Sequence, residues 1–145
     1  YQEAKRNKCE LYIPEDVVCS KKFDQAGVNK NLNQIADDDI ILDVGVASTS
    51  KIDEILKNCK TVLWNGPFGL FEYDNFANGT NEISKSIGKY TKENNLISVA
   101  GGGDTLAAIK KSNQQTNFTY ISTAGGAFLE WLEGKVLPGL KVLEK

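Results

Sequence analysis

The chain has 145 residues, 41% of them apolar and 25% charged, with a formal net charge of −2 at pH 7. That length supports one domain with its own core rather than two ordinary ones, and the charge gives no general basic footprint for nucleic acid. No apolar run approaches about 18 residues, so no helical membrane span is indicated, and the lack of any histidine excludes His-based triads, His metal sites and His acid–base chemistry within the chain.

From the amino terminus, residues 1–8 read as the end of a helix, with no signal-peptide pattern, so a piece of a longer protein is expected. Leu11, Tyr12 and Ile13 before Pro14 predict a strand over 9–13, and Val17, Val18 and Cys19 predict a second short one. Residues 20–39 are a polar surface connection with room for a hairpin. Its run Asp37-Asp38-Asp39 reads as a solvated acidic face rather than a cation site. Ile40, Ile41 and Leu42 predict a strand that ends at Asp43-Val44-Gly45. A helix capped by Ser48, Thr49 or Ser50 follows, with Ile52, Ile55 and Leu56 on its inward face and Cys59 at its end. Cys9, Cys19 and Cys59 lack metal-site spacing and read as reduced thiols, and the sequons at Asn78 and Asn117 read as chance matches.

The second half is more regular. A strand over 61–64 breaks at Asn65-Gly-Pro-Phe-Gly69, and a helix over about 80–94 buries Ile83, Ile87 and Tyr90. A strand over 96–100 runs into three glycines, with Asp104 and Thr105 at the N-cap of a short helix. A strand over 118–121 breaks at Ser122-Thr-Ala-Gly-Gly126. A last helix over 127–133 carries Phe128, Leu129, Trp131 and Leu132, and Gly134 and Pro138 stop it.

Strand, loop and helix thus recur three times. Right-handed crossovers make the strands parallel and bring loops 65–72, 101–104 and 122–126 to one edge of the sheet, where open α/β sheets bind ligands. A strand that breaks on glycines into a helix N-terminus offers an anion free N–H groups and the positive end of the helix dipole. Three such loops on one edge predict a nucleotide or phosphorylated ligand. No Gly-Lys-Ser/Thr end is present, and a dinucleotide fingerprint would need glycine at position 106, which is Leu106. The plainer alternative is that the glycines only make tight turns. Asp104 argues against it, because a carboxylate beside bound phosphates can hold Mg²⁺.

Three long motifs carry a family resemblance. Trp64-Asn-Gly-Pro-Phe-Gly-Leu-Phe-Glu72, Gly101-Gly-Gly-Asp-Thr105 and Ser122-Thr-Ala-Gly-Gly-Ala127 are followed by Leu129-Glu130, Glu133-Gly-Lys135 and Leu137-Pro-Gly139. In order, content and rough spacing the set resembles the C-terminal, nucleotide-binding domain of phosphoglycerate kinase, and the details look bacterial. Ile13-Pro-Glu-Asp-Val-Val18 and Leu42-Asp-Val-Gly45 are similar to further segments of that domain. The resemblance implies an α/β fold, a parallel sheet with flanking helices in a Rossmann-like three-layer α/β/α arrangement. Residues 1–145 would form most of that domain, with the N-terminal substrate domain and the start of this domain absent.

It further implies reversible phosphoryl transfer between ATP and 3-phosphoglycerate in glycolysis, with ATP or ADP as substrate and Mg²⁺ as cofactor. A cytoplasmic protein, monomeric at full length and without nucleic-acid or membrane partners, is expected. Residue by residue, Glu72 corresponds to the carboxylate that binds the ribose hydroxyls. Gly102, Gly103, Asp104 and Thr105 match the phosphate loop, with Asp104 facing the metal. Asn65 matches a side chain near the terminal phosphates, and Pro67 and Phe68 lie where the family lines the adenine pocket. Gly125 and Gly126 match the loop whose N–H groups approach the transferred phosphoryl group, a role that fits electrostatic catalysis.

Two departures stand out. Ala124 occupies a position that is often glycine in the family, and Val46 follows Gly45 where many relatives have Pro or Asp. The family's basic substrate patch, catalytic arginine and phosphate-binding lysines are not matched, so the isolated chain is expected to be catalytically inactive. Two further readings compete: a non-catalytic nucleotide-binding module, and an interaction domain whose glycine loops are only turns.

Overall fold

The computed structural model describes residues 1–143. A short exposed helix, α1 (Gln2–Arg6), opens the chain. The strand expected over 9–13 does not form: Leu11 and Ile13 are exposed, and no strand among the described residues pairs with this segment. An apolar pattern alone does not hold a strand without a partner ladder.

The first sheet is antiparallel. β1 (Asp16–Ser20) lies at its centre, between β2 (Val28–Asn31) and β3 (Ile40–Val44). The polar connection 20–39 therefore contains a true hairpin strand, β2, paired with β1. The acidic run serves this hairpin. Asp39 accepts a hydrogen bond from Lys30 Nζ at 2.6 Å, and Lys21 pairs with Asp38. Lysines of the chain itself neutralise these carboxylates. Asp37 and Asp38 are exposed as a solvated face would be, but the Asp39 side chain is covered and also accepts from Ala36 N at 2.8 Å, so it pins the hairpin rather than facing water.

α2 (Val46–Asn58) leads to the second, parallel sheet, built of β4 (Thr61–Asn65), β5 (Ile97–Gly101) and β6 (Tyr120–Ser122) in that spatial order. α3 (Asn78–Glu93) connects β4 to β5, and α4 (Gly103–Lys111) connects β5 to β6. Side chains of a strand alternate between faces. Trp64 and Ala100 point to the face covered by α3 and α4, where they join Leu56, Ile83, Ile87, Tyr90, Leu96, Ile109 and Phe118 in the core. Phe118 thus sits just ahead of β6, which starts two residues later than the apolar run suggested. Ile55, expected on the inward face of α2, is exposed instead, while Leu56 is buried.

α5 (Gly125–Leu132) begins the opposite layer at the carboxyl edge of the sheet, where a methyl added at Gly101 would lie 3.7 Å from Phe128 Cδ1. The rest of that face, with Leu63, Ile97 and Tyr120, is exposed among the described residues. The α/β/α layering is present, with its second outer layer reduced to α5. Pro138 does more than stop α5: it opens a further short helix, α6 (Pro138–Lys141), at its first position, where a missing N–H costs nothing. No helix among the described residues is long and apolar enough to cross a membrane.

Candidate functional site

The register of the parallel sheet brings the three loops together. Asn65 pairs with Gly101, and Gly101 pairs with Ser122, so all three strands end in one row. The loops then lock onto one another. Thr105 Oγ1 accepts a hydrogen bond from Gly66 N at 2.7 Å, which joins the first loop to the helix after the second. Gly125 is buried against the second loop, and a methyl there would overlap the backbone of Gly102. Gly102 has φ +98, a left-handed conformation that suits glycine, and a methyl on it would stand 3.4 Å from Asn65 Oδ1. Gly103 and Gly126, by contrast, face open space. Ala124 has φ −100 and is exposed, so its methyl group is accommodated without strain.

The helix starts in this row are open. α4 is capped by Gly102, two positions before Asp104, where the sequence suggested the N-cap at Asp104–Thr105, and this places Asp104 in its first turn. Its first intrahelical bond runs from Leu106 N to Gly102 O. None of the hydrogen bonds among the described residues uses the N–H of Gly103, Asp104 or Thr105, nor, at the start of α5, those of Gly125, Gly126 or Ala127. Six N–H groups at the starts of these two helices therefore have no protein acceptor among the described residues, and the positive ends of two helix dipoles lie behind them.

α2 and α3 begin differently. The expected capping by Ser48, Thr49 or Ser50 is replaced by a carboxylate from another strand. Asp16 accepts from Ala47 N at 3.0 Å, Ser48 N at 2.8 Å and Ser48 Oγ at 2.6 Å, while Asn29 Oδ1 takes Val46 N at 3.0 Å. Burial opposes the charge on Asp16, but the hydrogen bonds from Ser48, Asn29 and Ala47 outweigh it and hold the carboxyl down at about 2. Its carboxylate lies over Gly45, where a methyl could not fit. Asp43 closes α3 in the same way, accepting from Gly79 N at 2.8 Å beneath the loop at Gly69. Here burial dominates, and the carboxyl is pushed up to about 6 despite the Gly79 and Val44 N–H groups. Sequence reasoning passed over both carboxylates as functional groups because the residues they cap are 31 and more positions away.

The loop after β4 carries Pro67, Phe68 and Glu72. Phe68 is half-buried against the main core, and Glu72 is exposed. The hairpin of the first sheet reaches this loop, where Phe23 and Tyr73 stand side by side with ring centroids 6.2 Å apart, both about half exposed. Phe23 was invisible as a site neighbour because it lies in the polar connection. Lys111, at the far end of α4, ties the same loop down.

Asp104 is exposed, and no group of three or more His, Cys, Asp or Glu among the described residues could by itself hold an ion. The arrangement suits a cation delivered with phosphate oxygens, since Mg²⁺ is commonly held by one or two carboxylates plus substrate phosphates.

The model of the family described as "Phosphoglycerate kinase" matches residues 1–135. Phosphoglycerate kinase from Novosphingobium aromaticivorans is 46% identical over 144 residues, covering 97% of this chain and 36% of the relative. That from Vibrio campbellii is 49% identical over 140 residues, covering 95% and 35%. The solved structure of phosphoglycerate kinase from Coxiella burnetii superposes with a TM-score of 0.89 at 38% identity, covering 98% of this chain and 36% of that one. The chain thus spans about a third of the length of the relatives it matches. Its three edge loops, its parallel sheet and the match along nearly its whole length lead to one assignment: the chain belongs to the phosphoglycerate kinase family.

Proposed function

We propose that the carboxyl edge of the parallel sheet is the MgATP/MgADP half of a phosphoglycerate kinase active site. One observation carries this reading: the row Asn65–Gly101–Ser122 runs straight into two helix N-termini whose donors have no protein acceptor. Four other features of the same edge agree with it. They are the exposed Asp104, the exposed Glu72, the open faces of Gly103 and Gly126, and the fixed junction of Gly125 on Gly102.

In this reading residues 1–145 are most of the nucleotide-binding domain. Gly102, Gly103, Asp104 and Thr105 cradle the phosphates through their backbone N–H groups, with the Thr105 hydroxyl fixed by Gly66. Glu72 accepts from the ribose hydroxyls, Pro67 and Phe68 border the base, and Asn65 lies beside the terminal phosphates. Gly125 and Gly126 aim N–H groups at the transferring phosphoryl group, whose equatorial oxygens gain charge in the transition state. Mg²⁺, held by Asp104 and the phosphates, supplies charge neutralisation when bound.

The whole reaction, reversible phosphoryl transfer between ATP and 3-phosphoglycerate, needs an acceptor site and more positive charge than this edge provides. The isolated 145-residue chain is therefore inactive. The complete protein is a cytoplasmic monomer with no nucleic-acid or membrane partner. A non-catalytic nucleotide-binding module would share this edge, and phosphoryl transfer by the complete protein separates the two.

The test is calorimetric titration with MgADP of the protein expressed from its complete reading frame. Asp104→Ala should weaken the Mg²⁺-dependent part of binding, and Glu72→Ala the part lost when the ribose hydroxyls are removed, each about tenfold. Unchanged affinity in both variants would overturn the assignment, and native-like turnover by the 145-residue chain would overturn its inactivity.

A further inference from the structure

α4 holds the loop after β4 at two points. Near its start, Thr105 takes the N–H of Gly66. At its last residue, Lys111 Nζ donates to Phe71 O at 3.0 Å and to Glu72 O at 3.2 Å, and pairs with Asp74 Oδ1 at 2.7 Å. An ammonium has three N–H donors, and these three acceptors match them one for one on four consecutive residues of one loop. The ring beneath is packed to the same helix: Phe71 is buried with Ala77 and Ala108, and Ala108 lies one turn before Lys111 on α4. The Phe71 carbonyl that Lys111 grips therefore belongs to a residue whose side chain is already buried against α4.

We infer that Lys111 is a positioning residue for the nucleotide: it fixes the backbone of Glu72 relative to the phosphate loop at the other end of α4. This rests on the reading of Glu72 as the ribose-binding carboxylate. From Gly103 to Lys111 the helix rises about 12 Å at roughly 1.5 Å per residue. One rigid rod thus carries the phosphate-facing Asp104 at its start and the clamp on Glu72 at its end. A nucleotide that contacts both is measured against the length of α4. With its three donors engaged by the loop, Lys111 has none for a phosphate. It acts on the ligand only through Glu72.

The experiment compares MgADP with Mg-2′,3′-dideoxy-ADP, which lacks both ribose hydroxyls, in the protein expressed from its complete reading frame. Lys111→Ala should weaken MgADP about tenfold, the loss of one charge-assisted positioning contact. It should leave the dideoxy nucleotide within about twofold of its wild-type affinity, on the scale of a factor of two in an equilibrium constant. Lys111→Arg, which keeps the charge and the donors, should restore most of the loss. Equal weakening of both nucleotides would make Lys111 a purely structural residue and overturn the inference, as would no weakening of either. Failure of the underlying reading looks different: the wild-type protein and Glu72→Ala would then fail to distinguish the two nucleotides at all, and the inference would fall with it.

Discussion

Four helices of this chain begin beside a strand, and they begin in two ways. α2 and α3 start against the antiparallel sheet, and each has a buried aspartate, Asp16 or Asp43, seated on its first N–H groups. α4 and α5 start at the edge of the parallel sheet, and no group among the described residues takes the N–H donors of their first turns. All four carry the same orphan donors and the same partial positive charge. What separates the two kinds of terminus is whether the fold supplies its own anion. The glycines follow the same division. Gly45, Gly69 and Gly79 make room for the protein's own carboxylates, whereas Gly103 and Gly126 leave room for something else.

The strongest way to break this comparison is to remove a plug. Asp16→Ala would leave Ala47 N, Ser48 N and the Ser48 hydroxyl without their acceptor in a buried place. The expected cost is about 3 kcal/mol of stability, the sum of a lost cap and unsatisfied buried donors, read by urea denaturation. A loss below about 0.5 kcal/mol, the range of ordinary surface substitutions, would show that Asp16 is no cap at all.

The two plugs should also respond to pH in opposite senses. Asp43 sits at about 6 in the fold against about 3.9 in an unfolded chain, so between these values the folded state binds more protons. Its contribution to stability therefore falls as pH rises from about 4 to about 6, by roughly 2 kcal/mol. Asp16, held at about 2, gives stability that is present above about 4 and lost as pH falls towards about 2. Thermal melts across pH 2 to 7 should show both limbs, with Asp43→Asn flattening the upper one. A flat upper limb in the wild-type chain would mean that Asp43 is charged at no cost.

Most of the parallel half was legible in the sequence, because a strand that ends in glycines and restarts as an amphipathic helix writes its layout locally. Ile83, Ile87 and Tyr90 on α3 and the three edge loops lie where periodicity and turn chemistry put them. The antiparallel half was less legible. Its helix caps come from partners distant in the chain, and its polar hairpin hides Phe23 beside Tyr73. The segment 9–13 misled in the opposite direction, since its apolar residues find no ladder among the described residues. In the candidate site, Glu72, Asp104 and the glycines were legible as motif residues. The clamp of Lys111 was not, because a lysine ending a helix reads as a solvated charge that complements the dipole.

The smallest expected effect is the most telling. At its first helical positions α2 carries Val46 and Ala47, ordinary side chains at a closed terminus, whereas α4 begins with Gly103. A methyl at Gly103 would meet no protein atom within 4 Å, and alanine is the better helix former. If α4 were only a structural helix, Gly103→Ala would be a simple improvement. If its start is a phosphate cradle, the same methyl stands in the path of the ligand's approach to the N–H groups. The expected outcome is therefore split: a gain of about 0.5 kcal/mol in stability from the helix propensity, and a several-fold loss of MgADP affinity in the same variant. A stability gain with unchanged affinity would place α4 with α2 and α3, and would leave only α5 as an open terminus.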